Sequence, residues 1–220
     1  MNNIKSSLPE EIPLIGFCGS PWTLAAYSIE GRSSKDFEKT LGFLESNQKD
    51  VHDLLIKYTD ACFLYLRKQV QSGADVIQIF DSWANLLTKE DLIEFSFNYI
   101  NSLISALKLD PITKNIPVII FARNPKCNIE ELINTSADCI SLFWSMNDLN
   151  FEVAKNKVAI QGNLDPKILL ESDETIKRET YKILERFKEY PGYIFNLGHG
   201  ITPDISPDKI KYLTNIVREY

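Results

Sequence analysis

The chemistry-bearing side chains of this 220-residue chain collect at the ends of apolar runs. His199, one of two histidines, stands between Gly198 and Gly200 where the run Gly192 to Leu197 ends. Flanking glycines let a backbone approach another group closely, so His199 reads as a site residue rather than a structural one. Ser82 follows Asp81 at the end of a second run, and Phe80 precedes them. A third run ends in Cys18-Gly-Ser-Pro-Trp-Thr23, with Tyr27 four residues on. Ala122-Arg123-Asn124, Trp144-Ser145 and Gly162-Asn163, then Asp165-Pro166, follow three more. Each run thus ends in polar, aromatic or glycine residues aimed at one rim. Each also has a plainer reading. Gly19-Ser20-Pro21 makes a turn, Asp81-Ser82 or Asn163-Asp165 a cap, the tryptophans core, and Tyr27 packing. His52, between Asp50 and Asp53, reads as a solvent-exposed helix residue.

The runs that position these residues are short and almost wholly apolar. They are Ile12 to Phe17, Asp75 to Phe80, Pro117 to Phe121, Asp138 to Phe143, Val158 to Asn163 and Gly192 to Leu197. Such runs predict parallel strands covered on both faces. Between them, Val51, Leu54, Leu55, Tyr58 and Cys62 recur at helical spacing, as do Leu92, Phe95, Tyr99, Leu103 and Leu107, and finally Ile210, Leu213, Ile216 and Val217. Thr88 and Ser172 stand where helix caps belong, Pro207 at a first helical position, and Gly73 just past a helix end. The alternation predicts one α/β domain with a parallel sheet, residues 1–220, whose first eleven residues are a short polar segment. Periodicity does not choose between a barrel and an open doubly wound sheet. In both, ligands sit at the carboxyl ends of the strands.

Composition narrows the function classes. Net charge is −6, without the basic face that nucleic acid requires. No apolar run has the ~18 residues of a membrane span, and Met1 to Glu11 has no apolar core of a signal peptide, so a cytoplasmic location is expected. Cys18, Cys62, Cys127 and Cys139 lack metal-ligand spacing and are expected to be free thiols, with no metal site.

Four blocks together carry a family resemblance. Pro13-Leu-Ile-Gly-Phe-Cys-Gly-Ser-Pro-Trp-Thr-Leu24 with Tyr27 and Glu30-Gly31 resembles a block of the uroporphyrinogen decarboxylases. Gly73 to Ser82, Gln161-Gly-Asn-Leu-Asp-Pro166 and Phe195-Asn-Leu-Gly-His-Gly200 resemble three more, in the family's order. The resemblance implies a homodimeric (β/α)8 TIM-type barrel that uses no cofactor. It implies conversion of the acetate arms of uroporphyrinogen III to methyls, giving coproporphyrinogen III. By position, Tyr27 would sit near the reacting acetate, Ser82 and His199 would hold carboxylate arms, and Phe80 would pack against the macrocycle. Gly19, Ser20, Pro21 and Trp22 would shape the cleft.

The chain also departs from the family pattern. It has no Arg-Gln-Ala-Gly-Arg motif, and the eleven residues before Ile12 are too few for the two βα units that carry this motif and a strand-end aspartate in the family. About six βα units are therefore expected, and six strands do not close an eight-stranded barrel. The remaining rim cations, Arg32, Lys35, Arg123 and Lys126 with His199, are few for an octa-anion. Leu142-Phe143-Trp144 stands where the family has Leu-Asp-Trp, and Phe121-Ala-Arg-Asn where it has Phe-Ala-Lys-Gly. The expectation is a chain inactive by itself, working with a complementing N-terminal fragment or surviving as a catalytically dead remnant. A corrinoid-dependent methyltransferase of the same fold is a third reading. Those enzymes hold zinc through a His-x-Cys pair and a distant Cys, and no cysteine here follows a histidine at that spacing.

Overall fold

A computed structural model of the chain describes residues 1–34, 36–147 and 149–220, so Lys35 lies outside the described residues. Six parallel strands form one sheet in sequential order: β1 (Ile15–Gly19), β2 (Val76–Asp81), β3 (Val118–Ala122), β4 (Cys139–Ser141), β5 (Ala159–Gln161) and β6 (Tyr193–Ile194). The helices are α1 (Asn2–Lys5), α2 (Pro21–Glu30), α3 (Glu38–Ser46), α4 (Gln48–Gln71), α5 (Lys89–Asp91), α6 (Asn98–Leu109), α7 (Ile129–Ile133), α8 (Asp173–Phe187) and α9 (Pro207–Glu219). A π-helical stretch, Leu92–Phe97, joins α5 to α6.

All six apolar runs became strands, with shifted limits. β1 starts three residues later than its run because Pro13 has no N–H to give a ladder. Leu14 is held from the side instead, its N–H bound by the Asp75 carboxylate at 2.7 Å. The same carboxylate takes Lys5 Nζ at 2.6 Å, which ties the polar N-terminal segment to the foot of β2. β6 is two residues long, and the chain then meets β5's extension in a single bridge, Leu164 to Leu197.

Register decides which side chains share a face. Gly19, Phe80, Phe121, Ser141, Gln161 and Ile194 stand opposite one another across the sheet. Side chains alternate along a strand, so Phe17 and Gln78 share that inner face. The other parity, with Cys18, Ile77, Ile79, Ile120, Ile140 and Ile160, is buried in the main core under the helices. Helix boundaries follow their caps. The Thr88 hydroxyl accepts from Asp91 N, Ser172 from Thr175 N, and Ser206 from Asp208 N ahead of its proline. Gly73, at φ 99°, takes the left-handed turn that ends α4.

β1 and β6 are the two ends of the strand order. Near them the inner face is exposed: Phe17 is 60% accessible and Ile194 44%.

Candidate active site

The loop after β1 begins with Ser20, whose hydroxyl accepts from Thr23 N and caps α2, with Pro21 at the first helical position. Its hydroxyl also donates to Asp81 Oδ1 at 3.0 Å. Thr23 Oγ1 donates to the same oxygen at 3.2 Å and accepts the Ser82 N–H at 2.9 Å. Ser96 Oγ, brought inward on the π-helical stretch, donates to Asp81 Oδ2 at 2.5 Å, and the Trp83 N–H is a further donor. Asp81 is completely buried. Burial pushes its carboxyl above the ordinary carboxylate range, and the four hydrogen bonds partly offset that rise. The short contact to Ser96 is the length of a charge-assisted bond. Asp81 thus joins the loops that follow β1 and β2, and it holds Ser82 at the rim through Thr23.

A cleft of about 300 Å³ opens on the inner face at the carboxyl ends of the strands. Phe80, Ser82 and His199 line it together, with Gln78, Phe121 and Ser141. Its aromatic wall is continuous, because Phe80 packs on Phe17 and Phe121 with centroids 5.8 and 5.9 Å apart. The His199 ring meets Phe121 at 6.2 Å and Phe143 at 6.0 Å, both edge-on. Phe143 therefore gives the imidazole an apolar neighbour. The loop carrying His199 is pressed on its neighbour at Gly198, where a Cβ would come within 2.4 Å of the Trp144 amide nitrogen. Gly200 has open space around the same position. Of the two glycines, the first answers to close backbone approach.

The remaining site residues are placed elsewhere. Tyr27 lies on α2, partly exposed, edge-on to Trp83 and Phe37 at 5.7 and 5.9 Å, and is not part of this cleft's lining. Trp22 is fully buried, with its indole N–H given to Trp83 O at 3.1 Å. Ser20 and Pro21 are buried and Gly19 is half-buried. Arg123 lies over the Trp83 ring at 5.5 Å, and among the described residues no arginine or lysine lines the cleft.

His52 departs from its expected exposure. It is half-buried, stacked on Phe95 at 4.7 Å, with Nδ1 2.7 Å from the Tyr99 hydroxyl and Nε2 3.2 Å from Glu94. The hollow around it lies on α4 to α6, outside the strand ends. The four cysteines are free thiols, and burial pushes those of Cys127 and Cys139 up to about 12. Among the described residues, no three His, Cys, Asp or Glu side chains group as a metal site, and no helix is long and apolar enough to cross a membrane.

Sheet, helices and cleft define an α/β protein of the (β/α)8 TIM-barrel type with six βα units. Two solved structures show that fold. A methyltransferase from Methanosarcina mazei superposes with TM-score 0.77 at 20% identity, covering 99% of this chain and 62% of its own. A B12-independent methionine synthase from Shewanella sp. W3-18-1 gives 0.61 at 16% identity, covering 94% and 62%. The family model for uroporphyrinogen decarboxylase (URO-D) matches residues 1–220. The uroporphyrinogen decarboxylase of Ruthia magnifica subsp. Calyptogena magnifica is 42% identical over 219 residues, which are 99% of this chain and 63% of that protein. That of Alcanivorax borkumensis is 40% identical over 221 residues, 100% and 62% respectively. The chain belongs to the uroporphyrinogen decarboxylase family, and it spans about 63% of the length of these curated relatives.

Proposed function

We propose that this chain is the cleft-bearing larger part of a cytoplasmic uroporphyrinogen decarboxylase. A further segment, in the same polypeptide or a separate one, would supply the remaining strands and the cations. The carrying observation is the convergence of Phe80, Ser82 and His199 on one aromatic-walled cleft at the strand ends, with no arginine or lysine in its lining among the described residues. A cyclic tetrapyrrole has an apolar disc and a carboxylate rim. Phe80 and Phe121 suit the disc. The Ser82 hydroxyl and the imidazole suit two carboxylate arms. The other arms need cations that the completing segment brings.

Decarboxylation then needs no cofactor. A proton added to a pyrrole carbon makes the ring an electron sink. The bond from the acetate methylene to its carboxyl carbon breaks, its electron pair enters the ring, and carbon dioxide leaves. A proton delivered to the methylene carbon gives the methyl group, and loss of the first proton restores the pyrrole. Tyr27 stands outside the lining, so its part near the reacting acetate depends on the completing segment extending the cleft toward α2. The active protein is a homodimer in this reading.

Variants in the completed enzyme test the assignment. Tyr27→Phe and His199→Asn should each lower turnover. Unchanged kinetics in both would remove the site assignment.

A further inference from the structure

The outer edge of β1 is not an open strand edge. Asp75 N donates to Leu14 O, and Ser20 N to Phe80 O. The even-numbered backbone groups of β1 therefore face β2, and those of Ile15, Phe17 and Gly19 face away from it. An open edge would leave these groups to water or to another strand. Here α4 takes two of the three residues. Gln69 Oε1 accepts the Phe17 N–H at 2.8 Å, and Gln69 Nε2 donates to Phe17 O at 2.9 Å. One side-chain amide thus makes both hydrogen bonds that a neighbouring strand would make at that residue. Two helical turns earlier, the Cys62 thiol donates to Gly19 O at 3.5 Å.

Two further features mark this as built in. Gln69 is only 8% accessible, and a helix glutamine is ordinarily exposed. Gly16 leaves the room it needs, since a Cβ there would lie 2.5 Å from Gln69 Oε1. Along β6, by contrast, Gly192, Ile194 and Asn196 are committed to β5, and Tyr193 and Phe195 alternate toward the opposite edge.

We propose that α4 seals the outer edge of β1 from Phe17 to Gly19, with Gln69 as the sealing side chain, so that no strand pairs there. A segment that completes the sheet joins it instead through β6, the foot of β1 at Ile15, and the exposed rings and aliphatic chains of the inner face. This second statement rests on the reading of the chain as part of a larger barrel. The seal itself does not.

Hydrogen exchange at the Phe17 amide separates the two, measured on the chain alone and with a recombinant segment supplying two βα units from a relative. In the isolated chain, Gln69→Ala should speed Phe17 exchange about tenfold or more, since a partly buried backbone bond is lost. It should also cause concentration-dependent association through the opened edge. Gln69→Glu, which keeps the acceptor, should retain more of the protection. Equal protection in wild type and Gln69→Ala would overturn the seal. In the completed protein, Gln69→Ala should still exchange fast at Phe17. Restored protection there would mean that a strand pairs with β1 and would overturn the mode of joining. Absence of any complex, with the isolated-chain result intact, would count against the larger-barrel reading and leave the seal standing.

Discussion

Replacing Asp81 with alanine removes the acceptor at which two loops and the π-helical stretch meet. Four donors lose their partner: Ser20, Thr23 and Ser96 hydroxyls and the Trp83 N–H. The hydroxyls can turn toward other acceptors, but the backbone N–H is fixed. An unsatisfied buried donor costs about 1–3 kcal/mol. Against this, the variant is relieved of burying a carboxylate that has no cationic partner among its bonds, a penalty of order several kcal/mol before its hydrogen bonds are counted. The four bonds to a charged acceptor that are lost, each contributing about 1.5–3 kcal/mol, outweigh that relief, and the balance predicted for Asp81→Ala is a loss of about 2–4 kcal/mol at neutral pH. The pH dependence has a definite sign. Burial raises the folded-state pKa of Asp81 above its unfolded value, so the wild-type fold takes up a proton at a higher pH than the unfolded chain does. Its contribution is full below the unfolded pKa and falls as pH rises through the folded one. The gap between wild type and variant should therefore widen as pH is lowered toward the ordinary carboxylate range. Urea denaturation followed by tryptophan fluorescence and circular dichroism measures both effects. A loss below about 1 kcal/mol, or a gap that narrows on acidification, would refute the role given to this carboxylate.

Other outcomes follow from the same geometry. Gly198→Ala places a Cβ 2.4 Å from the Trp144 backbone, so it should cost about 2–3 kcal/mol and displace the His199 loop, read as a shift in the His199 ring resonances. Gly16→Ala collides with Gln69 and with the Ala74 Cβ at 3.1 Å and should cost about 1–3 kcal/mol in denaturant titration. Burial holds the Cys127 and Cys139 thiols near 12, so at pH 8 a thiol reagent should label them only on unfolding; rapid labelling of the native chain would contradict their placement. Thr40→Val removes the hydroxyl that bonds Glu30 Oε2 and Ala26 O, both at 3.1 Å, inside a fully buried site, and should lower stability by about 1–2 kcal/mol.

The apolar runs disclosed the strands because parallel strands covered on both faces have little room for polar residues. Their ends were less legible. Phe143 continues its run in composition, but β4 has already ended at Ser141, and only Leu142 N still reaches β5, at Gln161 O. Ser82 and His199 stand out in the sequence because the fold class fixes which end of each strand meets a ligand, whereas Phe80 is singled out by the family resemblance alone. The sequence leaves Asp81 open between a cap and a rim residue because the hydroxyls that surround it lie 61, 58 and 15 residues away. One signal was present. Asp81 shares the parity of Ile77 and Ile79, which marks it as buried on the helix side of β2. His52 was misjudged because its acidic neighbours Asp50 and Asp53 lie on the same helix, while Phe95, Tyr99 and Glu94 belong to another. Gln69 gave no signal in spacing, since its role depends on a backbone edge that only the sheet order exposes.

The proposed function requires a further segment to complete the cleft. Coproporphyrinogen formation from uroporphyrinogen III, under anaerobic reducing conditions, tests it most directly, with this chain alone and with a segment supplying two βα units. Product is expected only in the completed mixture. Product from the chain alone would contradict it, because the cations assigned to the completing segment would then be dispensable. A folded mixture without product would contradict the decarboxylase reading itself.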